Sequence, residues 1–88
     1  LAQNHPNPFN PMTMIRFDLP RRCRVTLSIY NVRGERVRTL VNEVMEPGSK
    51  VVYWDGKNEE GEPMGSGVYF YRLVADRFVK SKKMILIR

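Results

Sequence analysis

From Thr13 to Leu19 the side chains alternate without a fault, Ile15, Phe17 and Leu19 on one side and Arg16 and Asp18 on the other. A period of two gathers those apolar residues on one face of an extended strand, whereas a helix would scatter them. The period returns in Val25, Leu27 and Ile29 against Arg24, Thr26 and Ser28. It returns again in Tyr69, Tyr71 and Leu73 against Val68, Phe70 and Arg72, where the arginine marks the outer face. No segment carries apolar residues at helical spacing. A chain patterned in this way must bury one face of each strand against another sheet.

Breakers separate these segments. Pro20-Arg21-Arg22 ends the first strand, which is read as Thr13 to Leu19, and a second runs from Val25 to Tyr30. Asn31-Val32-Arg33-Gly34 is a turn, and a third strand is expected from Glu35 to Val41. Val41 to Met45 allows a short helical turn stopped by Pro47. Val51 to Trp54 and Val68 to Val74 are aromatic-rich strands joined by a glycine- and acid-rich connection, with Trp54 expected in the core and its indole N–H in need of a partner. Ala75-Asp76-Arg77 is a tight link into a last strand over Phe78 to Arg88, or two short ones broken near Ser81. Residues 1–12 hold Pro6, Pro8 and Pro11 and exclude helix and central strand. They read as a stiff leader from an upstream domain, with Phe9 plugged onto a body of residues 13–88. The fold class that follows is all-β: an antiparallel immunoglobulin-like β-sandwich of six to seven strands.

The totals exclude more than they name. Eighty-eight residues suffice for one core. Fifteen Lys and Arg against nine Asp and Glu give a net charge of +6, which suits an anionic partner or simply a solvated basic surface. Arg77, Lys80, Lys82, Lys83 and Arg88 crowd the end of the chain, while Asp55, Glu59, Glu60 and Glu62 crowd one connection, so opposite ends of the molecule are expected to differ in sign. The lone Cys23 excludes an intrachain disulfide and a multi-cysteine zinc site, and nothing near it in sequence serves as a base, His5 lying in the leader. Asp55, Asn58, Glu59, Glu60 and Glu62 offer oxygen ligands for Ca²⁺, but their spacing is not that of an EF-hand loop. Gly61, Gly65 and Gly67 precede no helix and form no phosphate cradle. Alternation sends most aromatics between Tyr69 and Arg72 into the core, which argues against a nucleic-acid surface. No enzyme and no cofactor emerge. No apolar run approaches the roughly 20 residues of a membrane helix. Without an initiator methionine or a signal-peptide pattern at Leu1, the sequence reads as the C-terminal piece of a larger protein.

Several stretches, taken in order, resemble a known family. Asn4-His5-Pro6-Asn7-Pro8-Phe9-Asn10-Pro11 and Ile15-Arg16-Phe17-Asp18-Leu19-Pro20 are similar to the opening of type A C-terminal sorting domains of the type IX secretion system. Val25 to Gly34, Trp54-Asp55-Gly56, Ser66 to Leu73 and Lys82 to Arg88 continue the resemblance to the end. His5 stands where an aromatic is more usual. The Asn-Pro-Phe-Asn-Pro opening and the block from Trp54 to Leu73 are also similar to the Ig-like domain of flagellar hook-capping proteins, a scaffold module.

The first resemblance implies a non-catalytic secretion signal at the end of an exported protein of Bacteroidetes-like bacteria. Its implied partners are the type IX outer-membrane translocon, a sortase-like peptidase and an upstream cargo domain in the same chain. Its implied destination is the cell surface or the medium, by way of the periplasm. By motif, Pro6, Asn7 and Pro8 match the proline-rich element, Gly67, Val68 and Tyr69 the glycine-x-tyrosine element, and Lys82 and Lys83 the basic terminal element. An edge strand at Met84 to Ile87 is expected to be read by strand addition. Two further readings stand beside this one: a spacer packing on an upstream enzyme or adhesin, and a carbohydrate- or surface-binding module using an exposed Phe70.

Overall fold

In a computed structural model describing residues 1–88, the alternating segments become six strands: β1 (Thr13–Leu19), β2 (Cys23–Tyr30), β3 (Arg36–Met45), β4 (Gly48–Trp54), β5 (Gly67–Ala75) and β6 (Phe78–Leu86). They form two antiparallel sheets, β1-β4 and β3-β2-β5-β6, and no helix. The inner faces carry the residues that alternation assigned to them. Ile15, Phe17 and Leu19 of β1 and Trp54 of β4 meet Val25, Leu27, Ile29, Tyr71, Leu73, Met84 and Leu86 in one buried cluster. Each such side chain contributes about 1.5–3 kcal/mol by leaving water. Trp54 is fully buried, stands 5.6 Å from Phe9 and 5.4 Å from Tyr69 between ring centres, and donates its indole N–H to the Lys57 carbonyl at 2.9 Å.

Where the sequence allows a helical turn at Val41–Met45, β3 stays extended and pairs Cys23 with Met45. β2 begins at Cys23 for the same reason, because the two strands lengthen together. Register shifts on β3 blunt this edge of the sheet. Glu46-Pro47 then carries the chain from one sheet to the other, with Gly48 at φ 125°. β6 runs through Ser81 unbroken.

Two connections share a sequence pattern, Asn31-Val32-Arg33-Gly34-Glu35 and Asn58-Glu59-Glu60-Gly61-Glu62. They also share their bonding. The Asn31 carboxamide oxygen accepts from the Arg33 and Glu35 amides, and that of Asn58 accepts from the Glu60 and Glu62 amides, each at 2.9–3.1 Å. Each carboxamide N–H₂ donates to the glutamate that closes its turn. The asparagine mimics a backbone turn, and the glycine takes the positive φ, 81° at Gly34 and 79° at Gly61.

Candidate recognition surface

The leader is built into the sandwich. Its first part pairs antiparallel with the outer edge of β1: Ala2 donates to the Arg16 carbonyl, and His5 and Met14 exchange both backbone bonds, all at 2.9 Å. It then crosses to the other sheet and runs parallel to β6. There Phe9 donates to the Ile85 carbonyl at 3.0 Å and accepts from the Ile87 amide at 2.9 Å, while the Asn7 side chain accepts from the Ile85 amide at 2.9 Å. Residues 1–12 thus form a strap that stitches β1 of one sheet to β6 of the other. Buried Asn4 and Thr13 anchor it: the Asn4 carboxamide donates to Thr13 Oγ1 at 3.0 Å, and that hydroxyl donates to the Pro6 carbonyl at 2.8 Å. With every buried side-chain polar atom paired, this network fixes one position for the strap.

The edge of β6 expected to be open at Met84–Ile87 is therefore already occupied. The outward amide and carbonyl of Ile85 and the amide of Ile87 are taken by Asn7 and Phe9, and Gln3 donates to the Lys83 carbonyl at 2.8 Å. The open part of the edge lies farther back, from Val79 to Ser81.

All eight motif residues gather around β6. Gly67, Val68 and Tyr69 flank it on the β5 side, paired with Leu86, Ile85 and Met84. Pro6, Asn7 and Pro8 flank it on the other side through the strap, with Asn7 touching Ile85 directly. Lys82 and Lys83, adjacent in sequence, point to opposite faces. Lys82 stands half-buried opposite Tyr71 on the inner face, and Lys83 stands exposed opposite Phe70 on the outer one. Phe70 itself is half-buried rather than exposed.

Residues outside the motifs hold this surface in place. The Arg88 amide donates to Ser66 Oγ at 2.8 Å, and its guanidinium donates to the carbonyls of Met64 and of Gly56, the latter at 2.9 Å. The expected separation of charge does not extend to Arg88, the last cation, which lies against the acidic connection. Gly56 sits at φ 76° with Arg88 and the Pro11 carbonyl so close that a Cβ would meet them at 2.9 and 3.3 Å. The Tyr69 hydroxyl donates to the Gly65 carbonyl at 2.7 Å. Asp55, a ligand candidate for Ca²⁺, instead accepts from Arg38 at 2.7 Å. Cys23 lines a cavity of about 420 Å³ at the Leu19 end of β1, whereas His5 pairs at the Met14 end, so the length of the strand separates them.

The profile of the FlgD Ig-like domain matches residues 12–77. The chain belongs to the FlgD Ig-like domain family. No curated protein sequence matches it. Among solved structures, this FlgD-type domain is similar to dimeric latent PorU from Porphyromonas gingivalis, with a TM-score of 0.78 at 23% identity over 97% of the chain. It is similar to PorZ, a surface component of the type IX secretion system of the same organism, with a TM-score of 0.68 at 18% identity over 98% of the chain. FlgD from P. aeruginosa gives a TM-score of 0.66 at 23% identity over 84% of the chain. The domain spans 9% of the PorU chain, 11% of the PorZ chain and 58% of the FlgD chain. At these identities the likeness is one of fold.

Proposed function

We propose that this FlgD-type domain is a non-catalytic address, recognised by an export machine of the type IX kind and attached to cargo in the same chain. One observation carries the reading. The FlgD profile covers residues 12–77, and what lies outside it, residues 1–11 and 78–88, is the strap and β6, which bind each other. The likeness to PorU and PorZ extends over 97% and 98% of the chain and so takes in both segments. A strap and a strand that meet in one place make a compact feature for a receptor to read.

In this reading Pro6, Asn7 and Pro8 hold the strap, Gly67, Val68 and Tyr69 hold β6 from within the sheet, and Lys83 presents the charge. The receptor adds backbone bonds along the open edge from Val79 to Ser81, where charge and side chains supply specificity. Its chemistry is that of the type IX translocon, with a sortase-like peptidase acting afterwards and the cell surface or medium as the destination.

The test is a transplant of residues 1–88 onto an inert periplasmic reporter in a type IX host. Reporter on the surface or in the medium, and lost in a translocon-deficient strain, is the expected result. A folded domain that leaves its reporter in the periplasm would overturn the reading. It would favour the scaffold role that membership of the FlgD family supports. Deleting residues 77–88 cannot separate the two roles, since β6 gives Met84 and Leu86 to the core.

A further inference from the structure

The outer face of the four-stranded sheet carries a row of side chains that belongs to none of the motifs as a set. Register places Arg36 of β3 beside Tyr30 of β2, Tyr30 beside Phe70 of β5, and Phe70 beside Lys83 of β6. Residues directly opposite one another on paired strands share a face, so the row reads cation, aromatic, aromatic, cation straight across the sheet. Arg72 lies one pleat below Phe70, opposite Ser81. Both rings are half-buried, and Arg36, Arg72, Ser81 and Lys83 are exposed. Tyr30, Phe70, Arg72 and Ser81 line a shallow hollow of about 340 Å³.

The charges on this face are unanswered. The ion pairs of the domain use Arg21, Arg22 and Arg38, and none uses Arg36, Arg72 or Lys83. Neither the row nor the hollow contains a carboxylate. Three cations around two apolar rings on an open face are complementary to a ligand carrying negative charge on either side of an apolar group.

We propose that this face docks an extended acidic segment of a partner protein, with an apolar side chain on Tyr30 and Phe70 between two carboxylates that meet Arg36 and Lys83. The spacing selects the ligand. Three inter-strand steps separate Arg36 from Lys83 by about 14 Å, and residues i and i+4 of an extended peptide are also about 14 Å apart on one side. The residue at i+2 then falls on the aromatic pair, and Arg72 supplies a fork-shaped donor for a nearby carboxylate. The site is argued from the face alone and does not depend on the export reading.

The experiment titrates the 88-residue chain with an acetylated, amidated Ser-Glu-Thr-Phe-Thr-Glu-Ser peptide and maps amide and side-chain shifts by NMR. Shifts centred on Tyr30, Phe70, Arg72 and Lys83, weakened by salt, are expected. Phe70→Ala and the pair Arg36→Gln with Lys83→Gln should each weaken binding by about tenfold. A scrambled peptide with adjacent glutamates should bind more weakly than the spaced one. The surface pair of variants keeps the test valid if Phe70→Ala loosens the sheet, with melting curves as the control. Absence of shifts on this face, or equal binding of the scrambled peptide, would overturn the proposal. So would tighter binding of an anionic oligosaccharide or an oligonucleotide at the same residues.

Discussion

The Tyr71 hydroxyl ties β5 to Asn4 of the strap, accepting its backbone N–H at 2.8 Å and donating to the Ala2 carbonyl at 2.8 Å. Tyr71→Phe keeps the ring in the core and leaves both partners without their bond. A buried N–H stripped of its acceptor costs about 1–3 kcal/mol. Denaturant unfolding should show that loss, and hydrogen exchange should show it concentrated at Asn4. Unchanged exchange there would mean that the strap is held by its other contacts.

Phe9 is the strap's one large side chain in the core, 2% exposed and packed on Trp54. Phe9→Ala should lower stability by about 3–5 kcal/mol, the usual range for emptying a buried aromatic site. Limited proteolysis should cut within residues 1–12 of the variant before it cuts the strands. Uniform cleavage would show that the strap and the sandwich unfold as one unit.

Burial pushes the phenols of Tyr71 and Tyr69 above the ordinary value of 10.0, opposed in part by the Asn4 N–H at Tyr71 and by the Arg88 charge at Tyr69. The folded chain therefore keeps these protons at pH values where the unfolded chain has released them. With fewer protons bound when unfolded, stability must fall as pH rises. The contribution is intact below the unfolded value of 10.0 and drains away as pH climbs past it. Urea melts on either side of that value should show the decline, and Tyr71→Phe should make it shallower.

Gly56 combines a left-handed backbone, φ 76°, with Arg88 and Pro11 at its Cβ position. Gly56→Ala should cost roughly 1–2 kcal/mol from the backbone alone. Adding Arg88→Ala relieves the crowding but leaves the φ strain, so the double variant should not regain the stability of Arg88→Ala alone. Thermal melts of the four chains test this directly.

Because Lys82 faces inward and Lys83 outward, the two lysines should separate in an export assay. Lys83→Glu is expected to block export of a fused reporter while the melting temperature stays unchanged. Lys82→Glu, placed opposite buried Tyr71, should lower the melting temperature first. Normal export of the Lys83 variant would remove that residue from the recognition surface.

The period-two pattern by itself determined that Ile15, Phe17, Leu19, Tyr69, Tyr71 and Leu73 line a core between sheets. Pro and Gly determined most of the places where strands stop. Those signals are local: a side chain's face follows from its neighbours two residues away. The pattern at Val41–Met45 was ambiguous for the same reason, and pairing with β2 decided it. Only tertiary structure decided that the proline-rich leader closes the seam between β1 and β6, since its bonds to β6 join residues some eighty positions apart. It also decided that Lys83 stands in line with Phe70, Tyr30 and Arg36. Alternation assigns a face, but which residues become neighbours on that face depends on strand order and register, and those are set by the long-range packing of the core.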